Sequence, residues 1–446
     1  MPKLTESVIA LLSRGAATRA DLQGELHVSQ PTLSRAIAEL GNQIVRIGRG
    51  RSTRYGLRRE LPLIGSFLPI FRVDREGEAR LIGRMHALAR EQYWFDAPGT
   101  DHGLFDGLPF FLQDLWPQGF IGRTIPGRFP ELGLPERVTD WSDTHVLGYL
   151  CRRGEDCIGD FIVGDESLQR YLKQSLAPAA PIGQSARGAQ YAQLADAAIA
   201  GAPAGSSAGG EHPKFTTLIG QGEEQRNVLV KFSPAGSDPQ AQRWRDLLVC
   251  EHLAADAMRQ AGLPSNTTDL IESGGRMFLE VTRFDRTGAR GRVGVLSLAA
   301  IADHHLGRRD SWVGAANALR AIDRLSSADH QSIRRLATFG QLIGNTDMHF
   351  GNLSFFFSFG ARLALAPAYD MLPMLYAPVA GDAGLPTRLF EPPLPTADNL
   401  DVWRSVAEVA QEFWRLVSEH ELVSTEFAAQ ARRNAGHVAQ IKTVAP

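Results

Sequence analysis

The first forty residues place apolar side chains at the spacing of three short helices. The first helix repeats leucine and valine between residues 4 and 12, and the second presents Leu22 and Leu26 after a predicted N-cap at Thr18. The third begins near Ser29, and Pro31 lies in its first turn, where the missing N–H does no harm. Its apolar face is formed by Leu33, Ile37 and Leu40. The close spacing of the second and third helices is typical of a helix-turn-helix.

After Gly41 the pattern changes to the alternation of strands. QIVRIGRGRSTRYGL turns around residues 48–50, which predicts a hairpin. Residues 1–59 hold ten Lys and Arg against four Asp and Glu, a net charge of +6 in a chain of net charge −2. The whole segment resembles the winged helix-turn-helix domains of bacterial regulators. Its predicted DNA contacts, by major-groove docking and phosphate neutralisation, are Gln30, Thr32, Ser34, Arg35, Arg49, Arg51 and Arg54.

The alternative for this segment is a small helical domain that binds protein and carries solvated arginines. DNA binding is favoured by a cationic hairpin region with six arginines against the single Glu60 that follows: Arg46, Arg49, Arg51, Arg54, Arg58 and Arg59. Because helix-turn-helix proteins often pair to contact two half-sites, a homodimer is also expected.

Composition limits the classes of protein to which the rest of the chain can belong. At 446 residues the protein is long enough for two or three domains, and no apolar run reaches the length of a membrane span. The N-terminus lacks a signal-peptide layout, so a cytoplasmic protein without membrane contact is expected. The three cysteines are too few and too scattered for a disulfide framework, and Cys151 and Cys157 lack partner ligands for a metal site.

Residues 177–212 are rich in Ala, Gly, Pro and Ser, which favours a flexible linker. The tail of this stretch, SSAGGEHPK, also suits a loop whose backbone N–H groups approach phosphate oxygens. A GxxxxGK[ST] phosphate loop is excluded by the spacing. The predicted nucleotide contacts of the segment are Ser207, Ala208, Gly209, Gly210 and Lys214.

The next segment contains a lysine where a strand should be apolar. Lys231 ends the β-rich run RNVLVKF, and a lysine there is costly without an anionic partner. The following helix offers Glu251 as that partner.

Three polar residues follow an apolar helix in LIGNTDMHFGNLSFFF: Asp347, His349 and Asn352. Asp347 and Asn352 have the D-x-x-x-x-N spacing of a protein-kinase catalytic loop, and a hairpin then leads to Asp370. Phosphoryl transfer needs a base or orienter at the acceptor hydroxyl, which Asp347 supplies, and hard oxygen ligands for magnesium, which Asn352 and Asp370 supply. Lys231 would neutralise nucleotide phosphates.

GNTDMHFGN followed by APAYDMLP resembles the HipA-like kinases, as do SSAGGEHPK, VLVKFSP and VTRFDR. The resemblance implies a serine/threonine protein kinase that uses ATP and Mg²⁺, with Asp347 as catalytic base and His349 in the loop that approaches the nucleotide. It implies autophosphorylation at Ser206 or Ser207. It also implies a toxin of a toxin–antitoxin pair, with an antitoxin partner and a protein substrate such as a translation factor or aminoacyl-tRNA synthetase.

The fold expected from these patterns is α+β: a bilobal protein-kinase-like fold with a largely helical C-terminal lobe, preceded by the small winged domain. The predicted domains are residues 1–60, 61–285 and 286–446. Three alternatives remain: a DNA-binding regulator whose inactive kinase fold senses a ligand, a small-molecule kinase, and a metallohydrolase. The last would use Asp303, His304 and His305 with Asp347 and His349.

Overall fold

The computed structural model has mixed α and β structure in two compact units. It describes residues 2–48, 50, 53–62, 64–99, 102–201, 212–221, 224–379, 385 and 388–444. One unit comprises residues 1–116 and 139–176, and the other comprises residues 117–138 and 177–446. Among the described residues, no helix is both long and apolar enough to cross a membrane.

The first unit contains a helical N-terminal part and a five-stranded sheet. Its helices are α1 (Pro2–Leu12), α2 (Arg19–Leu26), α3 (Gln30–Leu40), α4 (Phe110–Gln113), α6 (Asp143–Arg153) and α7 (Asp165–Leu176). Its strands are β1 (Ala17–Thr18), β2 (Ile44–Ile47), β3 (Arg54–Leu57), β4 (Phe67–Val73), β5 (Ala79–Ala87), β6 (Gln92–Asp96), β7 (Gly103–Asp106) and β8 (Phe161–Val163). The sheet orders are β1-β3-β2 and β7-β6-β5-β4-β8.

The three predicted N-terminal helices and the hairpin are all present. Thr18 caps α2 and forms a capping box with Asp21, which satisfies two backbone donors at the start of the helix. His27, in the left-handed region with φ 51°, ends α2, and Ser29 begins α3. Leu33 is fully buried in the core between the three helices, as the apolar pattern predicts.

Contacts join this helical part to the five-stranded sheet. Val45 and Ile47 of β2 share a core with Leu88 and Trp94. Arg59, predicted to contribute to a cationic hairpin, instead donates to the Leu88 carbonyl (3.2 Å) and to the Tyr93 hydroxyl (2.9 Å). That part of the prediction is wrong, because the segment after β3 runs along the end of β5, where the Arg59 N–H donates to the Ala87 carbonyl (2.9 Å). The sheet of residues 67–163 therefore belongs to the same unit as the N-terminal helices, whereas the sequence predicted one lobe over residues 61–285.

The second unit contains the remaining elements. Its helices are α5 (Gly119–Arg128), α8 (Arg187–Ala200), α9 (Pro239–Gln260), α10 (Leu298–His305), α11 (Trp312–Ala321), α12 (Ser327–Leu342), α13 (Leu400–Glu419) and α14 (Thr425–Val444). Its strands are β9 (Lys214–Gln221), β10 (Glu224–Phe232), β11 (Thr268–Ser273), β12 (Arg276–Thr282), β13 (Arg286–Thr287), β14 (Gly291–Arg292), β15 (Val295–Ser297), β16 (Ser354–Phe356) and β17 (Ala364–Leu365). The sheet orders are β11-β12-β10-β9, β13-β14 and β15-β16-β17.

The four-stranded antiparallel sheet has a helix on each face. Val228, Val230 and Phe232 alternate along β10 and share a core with Tyr191 of α8. The intervening residues of β10, including Lys231, point to the opposite face and to α9, because successive strand side chains alternate between faces. Asp238 caps α9 by accepting from the backbone N–H groups of Gln240 and Ala241, both at 3.0 Å.

The prediction of a flexible linker over residues 177–212 is wrong for α8. Its sequence RGAQYAQLADAAIA is rich in alanine, which has the highest helix propensity, and Tyr191 and Ala195 are fully buried one turn apart. Leu194 and Ala198 also pack against the core of the sheet. The apolar stripe of α8 consists largely of alanine, so it is hard to recognise in the sequence. It becomes apparent only where the helix packs against the sheet.

Candidate functional site

Two lysines oppose each other on the α9 face of the four-stranded sheet. Lys214 of β9 and Lys231 of β10 are direct cross-strand partners in the antiparallel register, so their side chains leave the sheet on the same face. Like charges in this position destabilise a sheet unless anions lie nearby. The local sheet geometry therefore creates a place for negative groups.

Lys231 has two carboxylate partners. Its Nζ donates to Oε1 and Oε2 of Glu251, both at 2.7 Å, and it also forms an ion pair with Asp370. Lys231 and Glu251 are buried, at 5% and 4% exposure. Burial alone would lower the pKa of Lys231, but the two carboxylates overcome it and raise that pKa. The predicted Lys231–Glu251 pair is confirmed.

Asp370 is held in an uncommon backbone conformation beside this pair. Its φ of 54° lies in the left-handed region, its N–H donates to Glu251 Oε1 (3.3 Å), and its carbonyl accepts from Asn345 Nδ2 (3.1 Å). Burial acts to raise the pKa of its carboxyl, but Lys231 and Lys214 outweigh it and lower that pKa to about 2. Asp370 is thus an anion fixed in place at the end of the β16–β17 hairpin.

The loop after α12 presents the other predicted polar residues. Asn345 Oδ1 accepts from the Asp347 N–H at 3.0 Å, and Asn352 Nδ2 donates to the Asp347 carbonyl at 2.8 Å. Asp347 and His349 are exposed, whereas Asn352 is buried. Because Asn345 also bonds Asp370, it links the Asp347 loop directly to the Lys231 cluster. The structure therefore brings Asp347, Asn352, Asp370 and Lys231 together.

Several residues that position this loop were missed from the sequence. Tyr369 donates to the Gly351 carbonyl (2.6 Å), and Trp312 Nε1 donates to the His349 carbonyl (3.1 Å). Met348 fills a notch left by Gly340, where an added Cβ would lie 2.5 Å from the methionine Sδ. Asn345, Met348 and Tyr369 lie within the quoted motifs GNTDMHFGN and APAYDMLP, so their positions carried a usable signal. Trp312 and Gly340 lie outside these motifs and carried none.

His212 is a further residue that was missed. It follows the Gly-rich segment, and its ring lies 4.1 Å from that of Trp244 on α9 in an edge-on arrangement. Burial, together with Lys231 and Lys214, lowers the pKa of this imidazole to about 3. Ser206, Ser207, Ala208, Gly209 and Gly210 lie outside the described residues.

The donor set near Asp370 fits magnesium better than a metal that prefers histidine or cysteine. Asp370 supplies a carboxylate, and Asn352 supplies an amide oxygen whose Nδ2 is already engaged. Mg²⁺ is commonly held by one or two such oxygen ligands together with substrate phosphates. Within the described part of the chain, no group of three or more His, Cys, Asp and Glu could hold a metal. Asp303 pairs with Arg309 (2.8 Å), so the metallohydrolase alternative is not supported.

The predicted DNA contacts of the first unit fall on α3 and the β2–β3 hairpin. Gln30, Ser34 and Arg35 are exposed on α3, and Thr32 is half-buried with its hydroxyl 2.9 Å from that of Ser29. Arg54 of β3 is exposed. Arg49 and Arg51 lie outside the described residues.

The chain belongs to the HipA-like family: the model of the HipA-like C-terminal domain matches residues 206–436, just over half of the chain. The predicted family resemblance is therefore confirmed. A second family model, for the middle domain of YjjJ-like toxins, matches residues 64–172. A relative named Toxin YjjJ, from Escherichia coli (strain K12), is 34% identical over 452 residues, which is 99% of this chain and 98% of the relative.

Two solved structures also show a likeness. HipA of Shewanella oneidensis MR-1, in a complex with HipB and its operator DNA, is 14% identical with a TM-score of 0.48 over 85% of this chain and 97% of that one. The Helicobacter pylori proinflammatory kinase CtkA is 12% identical with a TM-score of 0.34 over 50% of this chain and 90% of that one.

Proposed function

We propose that the second unit is an ATP-dependent serine/threonine protein kinase. The observation that carries the proposal is the buried Lys231–Glu251 pair joined to Asp370 and, through Asn345, to the Asp347 loop. A structural ion pair needs one carboxylate, whereas this lysine has two and lies opposite a second lysine. Such an arrangement suits a triphosphate and its metal, which would redistribute these charges on binding.

In the proposed reaction the exposed Asp347 carboxylate orients an acceptor hydroxyl and takes its proton. The hydroxyl oxygen bonds to the γ-phosphorus while the bond from that phosphorus to the β-bridging oxygen breaks, and ADP leaves with the electron pair. Lys231 neutralises phosphate charge, and Lys214 adds to the positive potential on the same face. Asp370 and Asn352 would hold magnesium, which neutralises charge that develops on the phosphate oxygens.

Autophosphorylation offers a test that requires no knowledge of the protein substrate. Purified chain treated with phosphatase is incubated with γ-labelled ATP and Mg²⁺, and Ser206 and Ser207 are checked by peptide mapping. We expect Asp347→Ala to lower the rate by at least about a hundredfold, because the acceptor hydroxyl loses its base and its orienter.

The matched control is Asp310→Ala, an exposed aspartate on another loop of the same unit, which should retain the wild-type rate. An unchanged rate in Asp347→Ala removes that residue from the catalytic role. Failure of the wild-type chain to bind or turn over Mg-ATP favours a regulator that senses a ligand.

We further propose that α2, α3 and the β2–β3 hairpin form a winged helix-turn-helix that binds DNA. The exposed polar face of α3 lies next in sequence to a hairpin with exposed Arg46 and Arg54. A double variant, Arg46→Ala with Arg54→Ala, should lower DNA affinity and reduce the slope of log affinity against log salt by about 2, since each phosphate contact releases roughly one counterion. Arg80→Ala, an exposed arginine of β5, is the control; equal salt slopes for the double variant and the wild type would refute the assignment.

The name of the Escherichia coli relative supports a toxin role for this chain. With that role we propose an antitoxin partner, a cytoplasmic protein substrate such as a translation factor or aminoacyl-tRNA synthetase, and pairing of two chains on DNA. Co-purification of tagged chain expressed with its neighbouring genes tests the antitoxin.

A further inference from the structure

His212 occupies an unusual place beside the proposed nucleotide site. One residue, Pro213, separates it from β9, and the Pro213 carbonyl accepts from the Phe232 N–H of β10 at 3.1 Å. The ring is set edge-on against Trp244, so its position is fixed from both the sheet and α9.

The buried edge of this imidazole has no partner among the described residues. Nε2 is inaccessible to solvent, and it makes no hydrogen bond within the described part of the chain. Most buried ring nitrogens of histidine are satisfied, as in His252, whose Nδ1 lies 2.8 Å from Thr268 Oγ1. An orphaned nitrogen next to a ligand site therefore indicates a contact that the ligand completes.

The charges around His212 indicate the chemistry of that ligand. Lys231, Lys214 and Asp370 are the groups whose fields act on the imidazole. Two of them are cations on one face of the sheet, and the third is the proposed metal ligand. The two lysines attract an anionic group, and one with several oxygens can accept a hydrogen bond from a ring N–H at the same time.

We infer that His212 Nε2 donates a hydrogen bond to a phosphate oxygen of the bound nucleotide, with Trp244 as the wall that holds the ring in position. The inference rests on the proposed kinase function and extends it, because it assigns a phosphate contact to a residue outside the lysine and carboxylate cluster. His212 is then a binding residue that distinguishes nucleotides by their phosphates and contributes nothing to recognition of the nucleoside.

The test is calorimetric titration of full-length, phosphatase-treated protein with Mg-ATP and, separately, with adenosine. We expect His212→Ala to weaken Mg-ATP binding about 10- to 100-fold, the usual effect of losing a hydrogen bond to a charged group, and to leave adenosine binding unchanged. His212→Gln, which retains an N–H donor of similar reach, should recover most of the affinity. His252→Ala is the matched control on α9 and should bind both ligands as the wild type does.

A direct readout comes from the ring itself. In protein labelled with ¹⁵N-histidine, the Nε2 resonance that is lost in His212→Gln should shift on addition of Mg-ATP and stay in place with adenosine. Equal weakening of both ligands in His212→Ala, or no weakening of either, overturns the inference while the kinase proposal stands. If the wild-type chain binds no Mg-ATP, both proposals are wrong.

Discussion

Two clusters of charged side chains lie on opposite faces of the same four-stranded sheet, and they differ in their numbers of acidic and basic groups. On the α9 face, Lys231 meets the two carboxylates of Glu251 and Asp370. On the α8 face, the carboxylate of Glu280 accepts from the Tyr191 hydroxyl (2.6 Å) and from Arg226 Nη2 (3.0 Å), with Arg187 at 3.4 Å.

The difference distinguishes the proposed binding site from a structural ion-pair cluster. The Glu280 side chain is 2% exposed, and its two oxygens are surrounded by donors from the helix and the sheet. The Asp370 side chain, by contrast, is 29% exposed. A partly exposed carboxylate remains open to a cation, whereas a carboxylate enclosed by donors from α8 and the sheet can only hold the two together.

Among these variants, Asp370→Asn should have the largest effect on activity and only a small effect on stability. Phosphoryl transfer is expected to fall by about a hundredfold or more, because the proposed magnesium ligand is lost. The free energy of unfolding should change by less than about 1 kcal/mol, because Lys231 keeps both oxygens of Glu251. Autophosphorylation rates and urea unfolding measure the two quantities. A loss of stability comparable with that of a Glu280 variant would mean that the α9 cluster is structural.

Glu280→Gln should show the opposite behaviour. Removing the charge leaves Arg226 and Arg187 beside a neutral group, and the free energy of unfolding should fall by about 3 kcal/mol. Mg-ATP affinity of the folded protein, measured by calorimetry well below the unfolding temperature, should equal that of the wild type. The control is Asp269→Asn on β11, the cross-strand neighbour of Glu280 and 57% exposed, with an expected change within about 0.5 kcal/mol.

Tyr191→Phe tests the single hydrogen bond from the Tyr191 hydroxyl to Glu280, and its expected effect is the smallest of the three. Only the hydroxyl is removed, so Glu280 loses one hydrogen bond and retains its arginines, and the expected destabilisation is about 1–2 kcal/mol. Urea unfolding of the single variant and of Tyr191→Phe with Glu280→Gln gives the coupling between them. Strict additivity would show that the hydroxyl and the carboxylate act independently, against the contact described above.

Periodicity and motif spacing predicted a large part of this architecture. The three N-terminal helices, the Lys231 strand, the helix with Glu251 and the hairpin before Asp370 all lie where their patterns indicated. Each depends on local propensity or on short-range alternation, which sequence records directly. The Lys231–Glu251 pair was also predictable, since a buried lysine demands an anion.

Two predictions that the structure contradicts failed for a different reason. The α8 segment was taken for a linker because alanine and glycine carry little pattern, and its apolar stripe is recognisable only against the sheet that covers it. Arg59 was assigned to a cationic surface because the segment after the hairpin was interpreted without Tyr93, its partner 34 residues away. Tertiary contacts decided both.

By itself, the sequence determined which chemical groups this protein carries and in which order, because residue type and spacing follow directly from the chain. The D-x-x-x-x-N loop, the lysine, the glutamate and the final aspartate were all identifiable in this way. Only the tertiary structure decided that Asn345 joins the Asp347 loop to Asp370, that Lys214 opposes Lys231, and that His212 is wedged against Trp244. These contacts link segments far apart in the chain, and their geometry exists only once the sheet, α9 and the hairpin have packed together.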